Sequence, residues 1–481
     1  MLREESLFLA RVREVYRKDT FTCKTDVPVS HVALLMKEMN ISGVIVSHDD
    51  ALVGVVTDRD LRDKVLAKGL DPTKVYVSSI MSKPLVSIKE DDFLSEAVYK
   101  MMQDNIHRLA VVDDAGSLLG VITDRDILKF QTDTALYFMR DLEAARNMDD
   151  VKAINNKMTD YIGKLFKAEI KPKDLIRLIS YLNDLIIVKV IKLIVGSDFL
   201  KLPGKFAFLV LGSEGRMEQT LKTDQDNAIV YSNELGKEDL ALLEAFSVKL
   251  IDSLVDIGFP SCPGGIMAKN AIWRRSLSDW GDTVKDWVSV PTPDNILNYS
   301  MFSDLRTVYG DLDLEKALKQ RVVNVITKNP VFLAHMANNI LRFKPPLNFL
   351  GGFKVEKKGE HTGKLDIKMT GIFPLTEGIK VLALEAGIME GGTVDKISRL
   401  MGRGVVPDDE LHEVDASLDF FIYLRLKSQI EQASKGLEPT NFIDPLKLNE
   451  VERERLKVGF SMVKAFQSFL ADKYKVSFLA G

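Results

Sequence analysis

Two aspartates, Asp224 and Asp226, stand at the head of the run Asn227-Ala228-Ile229-Val230-Tyr231. Side chains at i and i+2 of an extended strand share a face, so both carboxylates are aimed at one point. Paired acidic oxygens suit a hard cation such as Mg²⁺ when that cation also holds substrate phosphates. Upstream lies Leu211-Gly212-Ser213-Glu214-Gly215-Arg216-Met217-Glu218-Gln219, which reads as a strand end, a Gly-Ser turn and a helix start. Such a turn offers backbone amides and a hydroxyl to a phosphate. The combination points to phosphoryl or nucleotidyl transfer.

Other residues join this expectation. Asp304 follows Asn298-Tyr299-Ser300-Met301-Phe302-Ser303, a candidate strand, and is the candidate third carboxylate; a cap of a helix or turn is the other reading. Arg216 sits about one turn into the helix and is placed to neutralise phosphate charge, with Glu218 orienting it or capping backbone. Lys368, after the Gly- and Lys-rich stretch from Gly351-Gly352, is a second candidate cation for a triphosphate, or else a solvated loop lysine. Pro260-Ser261-Cys262-Pro263-Gly264-Gly265 is turn chemistry, either a hairpin or a close approach of backbone to substrate. Trp273, Trp280 and Trp287 recur at one spacing and are expected in the core, with base stacking the alternative.

These residues need elements to hold them. Lys205–Leu211 is expected as a buried strand and Leu235–Ile257 as a helix. Residues 131–200 carry apolar residues at helical spacing, broken at Pro172, and read as a helical connector. From about Leu312 onward the pattern is that of a helical bundle. The N-terminal part contains a repeat. Gly54-Val55-Val56-Thr57-Asp58-Arg59-Asp60-Leu61 matches Gly120-Val121-Ile122-Thr123-Asp124-Arg125-Asp126-Ile127, each behind an apolar strand and a helical stretch. Two copies of one supersecondary unit are expected to bury a shared face.

The Gly-Ser turn followed by Asp-x-Asp resembles the nucleotidyltransferase superfamily of DNA polymerase beta, aminoglycoside nucleotidyltransferases and the protein uridylyltransferase of bacterial nitrogen signalling. The fuller string, with Phe259 to Ala268, Phe302-Ser303-Asp304-Leu305-Arg306, Tyr309-Gly310-Asp311 and Leu365-Asp366-Ile367-Lys368, looks like a bacterial family that joins such a domain to a CBS pair. The repeat itself resembles that CBS pair, or Bateman module. The resemblance implies mixed α/β and α architecture. It divides into a tandem CBS pair (1–130), a helical connector (131–200), a polymerase-beta-like domain (201–312) and a helical substrate-binding domain (313–481).

It further implies catalytic and metal-binding roles for Asp224, Asp226 and Asp304. Gly212, Ser213, Arg216 and Lys368 would bind NTP, and Mg²⁺ or Mn²⁺ would be the cofactor. In the CBS pair, Asp60 and Asp126 would hold ribose beside Thr57 and Thr123, and Arg108, Arg59 and Arg125 would meet phosphate. The Thr-x-x-Asp motif is also an ordinary helix start. The pair is therefore expected as an adenine-nucleotide sensor or a dimerisation platform. The acceptor would be a hydroxyl of a protein or a small molecule, in uridylyl or adenylyl transfer; the alternative is a non-catalytic adenine-nucleotide-sensing regulator. A homodimer is expected by the same resemblance.

Composition bounds these readings. The 481 residues carry 65 basic and 69 acidic side chains, a net charge of −4, which argues for no nucleic-acid partner. Two cysteines, Cys23 and Cys262, are too few for a disulfide framework and fit a reducing cytoplasm. The apolar run Leu175–Val195 is interrupted by charges, so a buried helix and no membrane span is expected. The six histidines lack zinc-ligand spacing.

Overall fold

The computed structural model describes residues 10–18, 20–39, 41–49, 51–124, 126–127, 135–167, 170–221, 224–348 and 352–480. Arg125, Thr223 and Gly351 lie outside the described residues. The chain divides into two compact units, Met1–Asp141 and Leu142–Gly481.

The first unit is the repeat made solid. Strands β1 (Thr22–Lys24), β2 (Gly43–His48) and β3 (Ala51–Thr57) form one sheet; β4 (Ser87–Lys89), β5 (Arg108–Val112) and β6 (Leu118–Thr123) form the other. In each, the first pair is parallel and the second antiparallel, and each second pair shifts register once. The helices Val29–Glu38 and Leu94–Gln103 cross between the parallel strands. The segment ahead of each repeat docks on the other repeat. Arg17 bridges to Val121, and Ser82 bridges to Val55.

The second unit is built on a four-stranded sheet in the order β10 (Arg306–Gly310), β7 (Phe206–Val210), β8 (Asn227–Tyr231), β9 (Arg274–Ser276). Strand β7 is buried at every residue, as an uninterrupted apolar run requires. The helix Lys237–Ile257 ends at Gly258, whose φ of 117° only glycine adopts at low cost. Trp280 donates to the Ile229 carbonyl at 3.0 Å and fastens the helix Leu277–Ser289 to β8. Trp273, Trp280, Trp287 and Phe302 form one aromatic cluster, with Trp280 and Phe302 centroids 4.3 Å apart. The three tryptophans therefore pack against one another inside the unit, although Trp273 lies in a short 3₁₀ turn ahead of that helix.

Two expectations change. Residues 298–302 of the stretch 298–303, read as a candidate strand, belong to the helix Pro293–Phe302, and Ser303 caps its end. Pro293 opens it, Thr292 caps it by accepting from the Asn295 amide, and Ile296, Tyr299, Ser300 and Phe302 supply its buried face. The helices Met148–Lys167 and Pro172–Ser197, within the stretch read as a connector, lie inside the second unit and pack on Lys237–Ile257 and Asp408–Ser434. Pro172–Ser197 is the rear support of the Gly-Ser turn. Ser180 accepts from the Gln219 amide at 2.9 Å, Asn183 donates to Glu214 Oε2 at 3.2 Å, and Asp184 takes a two-point pair from Arg306 at 2.6 and 3.0 Å. The C-terminal part is helical, with Pro330–Ile340, Phe373–Glu385, Thr393–Leu400, Asp408–Ser434 and Glu450–Lys473 as its main members. None of the described helices is long and apolar enough to cross a membrane.

Burial, and then the Asp184 charge, push the Glu214 carboxyl up to about 8. A carboxyl raised above its unfolded value keeps an extra proton in the native state. Its contribution is complete below the unfolded pKa and is lost as pH rises through the folded one. Glu214→Gln imitates the protonated form. Denaturant titrations between pH about 5 and about 8 should show wild type losing more stability than the variant; equal losses would contradict this assignment.

Candidate active site

Gly212 and Asp226 meet. Gly212 has φ of 55°, and a Cβ there would stand 2.4 Å from Met301 Cε and 3.4 Å from Asp226 Oδ2. The positive φ and the Met301 methyl are why glycine is needed, and the Asp226 carboxylate lies in contact distance of the same face of the turn. Gly215 is equally constrained, since a Cβ there would fall 1.9 Å from the Asp304 carbonyl oxygen. The Ser213 hydroxyl donates to Gln219 Oε1 at 2.8 Å.

Asp224, Gln225 and Asp226 alternate as extended backbone does. Gln225 is buried and donates to the Phe259 carbonyl at 3.2 Å, while Asp224 is exposed and Asp226 half-buried. The turn 260–266 is zipped to this segment. The Gln225 amide donates to Pro260 at 3.1 Å and the Asn227 amide to Ile266 at 3.0 Å. That zipper brings the Cys262 thiol into hydrogen bonding with the Asp226 carboxylate. Burial pushes the Asp226 carboxyl up to about 6; the thiol and Lys368 oppose the rise, and Asp224 adds to it.

Lys368 stands across from the two aspartates, at the start of a π-helix, Lys368–Ile372. Burial and the neighbouring Arg425 guanidinium push its ammonium below the usual lysine range, against the pull of Asp226, Asp224 and Asp366. It forms no ion pair of 4 Å or less among the described residues.

Asp304 is placed differently from the expectation of a third metal ligand. Its side chain is fully enclosed, and both oxygens are taken by cations. Arg216 Nη1 and Lys380 Nζ (2.7 Å) meet Oδ2, and Lys396 Nζ meets Oδ1 at 3.1 Å. Burial alone would raise this carboxyl; the charges of Lys380, Lys396 and Arg216 outweigh it and hold it far below the carboxylate range. The physical reason is that the helix Pro293–Phe302 ends in a turn that points residue 304 inward, at the helices Phe373–Glu385 and Thr393–Leu400. Arg216 is correspondingly committed. Its Nε donates to Glu218 at 2.7 Å and its Nη1 to Asp304, so two of its donors are withdrawn from any phosphate. Glu218 also accepts from the Thr393 amide. Glu377 and Ser300 close the cluster through Lys380.

Lys380, Lys396 and Glu377 escaped sequence reading, as did Cys262 as a partner of Asp226. One signal was available: Glu377 and Lys380 are an acid and a base three apart in the mostly apolar helix Phe373–Glu385. Cys262 lay in a turn whose register with Asp226 no local pattern gives.

In the first unit both Thr-x-x-Asp motifs form capping boxes. Thr57 and Thr123 each bond the motif carboxylate with backbone and hydroxyl. The two sites differ at equivalent positions of the preceding segments. Asp60 accepts from Ser82 at 3.0 Å and pairs with Lys64 at 2.7 Å; Asp126 pairs with the Arg17 guanidinium, Nε and Nη2 both at 2.7 Å. Arg108 lies over Gly43, where a Cβ would fall 1.8 Å from its Nη1, and donates to Ser42 at 3.0 Å.

A divalent cation fits the dyad on chemical grounds. Asp224 and Asp226 are hard oxygen donors; the only described partner that bonds the Asp226 carboxylate is a thiol, and burial leaves that carboxylate under-compensated. Among the described residues no three His, Cys, Asp or Glu side chains converge as a ready metal cage. Mg²⁺ is commonly held by one or two carboxylates with substrate phosphates and water completing the shell, so two suffice.

Comparison with known proteins agrees with this division. Residues 156–294 match the family described as "Putative nucleotidyltransferase DUF294", and residues 330–474 match its "Putative nucleotidyltransferase substrate binding domain". Residues 12–67 and 77–133 match the CBS domain. An uncharacterized protein of Methanopyrus kandleri is 40% identical over 121 residues, 25% of this chain and 62% of that protein. The inosine-5'-monophosphate dehydrogenase of Methanocaldococcus jannaschii is 38% identical over 117 residues, 24% of this chain and 22% of the enzyme. The chain thus spans less than two thirds of either relative. Among solved structures, a conserved CBS-domain protein of Thermoplasma acidophilum is 22% identical with a TM-score of 0.25, covering 27% of this chain and 72% of that one. A CBS-domain protein of Pyrobaculum aerophilum complexed with AMP is 23% identical with a TM-score of 0.23, covering 24% and 89%.

The ion cluster separates structural from chemical carboxylates. Asp304→Asn leaves three buried cations short of their acceptor and should destabilise the second unit by about 3–5 kcal/mol. Asp224→Asn, at an exposed position, should leave the melting temperature near wild type. Similar melting temperatures for the two variants would contradict the structural role of Asp304.

Proposed function

Because this chain belongs to the family that links a CBS pair to a DUF294 nucleotidyltransferase and its substrate-binding domain, we propose that it transfers NMP from an NTP to an acceptor hydroxyl. The observation that carries the reading is the convergence of Asp226 on Gly212, with Asp224 on the same face and Lys368 opposite, without an ion pair among the described residues. The acceptor oxygen bonds to the α-phosphorus, the bond from that phosphorus to the β-bridging oxygen breaks, the hydroxyl proton leaves to solvent, and pyrophosphate departs. Bound Mg²⁺ or Mn²⁺ would supply charge neutralisation to attacking and leaving oxygens. Asp224 and Asp226 would hold that ion, with Asp224 on the open side.

Gly212 lets the phosphates approach the turn closely, and Ser213 shapes it through Gln219. Lys368 offsets charge on the phosphate chain. Arg216 acts at a distance: bonded to Asp304, it fixes the turn, and its charge also bears on Asp226. Asp304 is therefore a positioning residue in this reading. The acceptor is a protein or small-molecule hydroxyl, and an adenine nucleotide at the CBS pair is the effector. The two effector sites are unequal: Asp60 is held by the Ser82 hydroxyl and the single-point Lys64 ammonium, whereas Asp126 takes both Nε and Nη2 of Arg17, the harder contact for a ligand to displace.

Asp224→Asn combined with Asp226→Asn should abolish NTP-dependent pyrophosphate release with Mg²⁺ present, while thermal unfolding stays near wild type; undiminished turnover would refute the assignment. For the effector, calorimetric titration with AMP, ADP and ATP should find binding lost in Asp60→Ala and largely kept in Asp126→Ala. The reverse order would refute the inequality.

A further inference from the structure

Beneath the loop that leads to Asp224 lies a set of donors that no motif marks. Arg425 and Gln429 sit one turn apart on the helix Asp408–Ser434, hence on one face. They are 3% and 0% exposed. Gln429 Oε1 accepts from the Leu221 amide at 3.3 Å, which brings this face up to the loop. Arg425 Nε donates to Asn441 Oδ1 at 2.8 Å, and the Asn441 carbonyl accepts from the Ile367 amide at 3.1 Å. The guanidinium therefore reaches the foot of the π-helix that carries Lys368. π-Helical turns are frequent at functional sites.

Two of the remaining donors have nothing to bond among the described residues. Arg425 Nη2 and Gln429 Nε2 are buried without an acceptor. Lys368 has no ion pair among the described residues. Asp366, whose charge acts on both cations, accepts from the Met369 amide at 3.0 Å and pairs with neither cation within 4 Å among the described residues. A buried guanidinium nitrogen and a buried amide nitrogen without acceptors, beside a half-buried ammonium that has no ion pair among the described residues, carry a desolvation penalty that an anion would relieve. The face is held firmly. A Cβ at Gly371 would lie 3.0 Å from the Phe421 ring and one at Gly459 2.8 Å from it, so the ring is gripped one turn ahead of Arg425.

We propose that Lys368, Arg425 and Gln429 form a polyphosphate subsite, contributed by the C-terminal helical domain, that binds the outer phosphates of the nucleotide and then the leaving pyrophosphate. A planar guanidinium, an ammonium and an amide match the several oxygens of a phosphate chain. Asp224 and Asp226 nearby favour that chain as its complex with a divalent cation. The identity of the nucleotide rests on the transferase reading above; the anion site does not.

The probe is inorganic tripolyphosphate with Mg²⁺, titrated calorimetrically into the full chain alongside thermal unfolding. Wild type should bind it and gain melting temperature. Arg425→Met keeps the volume and removes the unbonded donor; it should melt at or above wild type without ligand and bind tripolyphosphate at least about tenfold more weakly. Should that variant fold poorly, Arg425→Lys decides: weaker binding supports the subsite, and unchanged binding overturns it. A wild-type chain that binds no tripolyphosphate also overturns it. Wild type that binds tripolyphosphate through Arg425 yet releases no pyrophosphate from any NTP would sink the transferase reading and leave the subsite standing.

Discussion

One buried carboxylate organises the second unit. Arg216, Lys380 and Lys396 converge on Asp304, and Glu218 and Glu377 complete the charge balance around them. The same residue anchors twice, since its carbonyl packs where only glycine fits at position 215. The Gly-Ser turn is thereby fixed to the helices Phe373–Glu385 and Thr393–Leu400. From behind, Ser180, Asn183 and Asp184 hold the turn to the helix Pro172–Ser197. A buried ion cluster contributes little net stability over apolar packing, but it penalises every arrangement that separates its members. Its effect here is geometric: it sets how far Asp226 lies from groups on the C-terminal helices.

The contrast between matched and unmatched charge marks the site. Around Asp304 each cation has its acid. Around the Asp-x-Asp segment no such matching ion pairs form among the described residues: Asp226 is bonded by a thiol, and the Lys368 and Arg425 charges oppose each other. Burial also pushes the Arg425 guanidinium down to about 10. Buried polar groups are ordinarily satisfied, and here two unbonded buried donors, Arg425 Nη2 and Gln429 Nε2, share one helix face beside an ammonium that has no ion pair among the described residues. Opposite signs on opposite walls suit a ligand that is itself a cation bound to a polyanion.

Much of this was legible in the chain. The duplicated Thr-Asp-Arg-Asp strings announced the two repeats, and even their shared register shift follows from one unit used twice. The apolar strand, the glycine turn and the alternating aspartates foretold β7, the turn and β8 because each depends on local periodicity. The surroundings of Asp304 were illegible for the opposite reason. Residue type declares a charge, but its partners at 216, 380 and 396 come from distant segments, and no spacing encodes that meeting. The neighbouring helix Pro293–Phe302 was missed since Tyr, Met and Phe fit a strand as well as a helix, and Pro293 with Thr292 decided it. Arg425 sat in plain view inside an apolar stretch, where burial with one guanidinium nitrogen unbonded could be learned only from the fold.

The most direct test is diffraction from crystals grown with Mn²⁺ and a non-hydrolysable NTP. An anomalous peak bridging Asp224 and Asp226, with the phosphate chain running between Gly212 and Lys368, is the predicted result. Manganese bound elsewhere, or nucleotide seated away from that turn, would contradict the account.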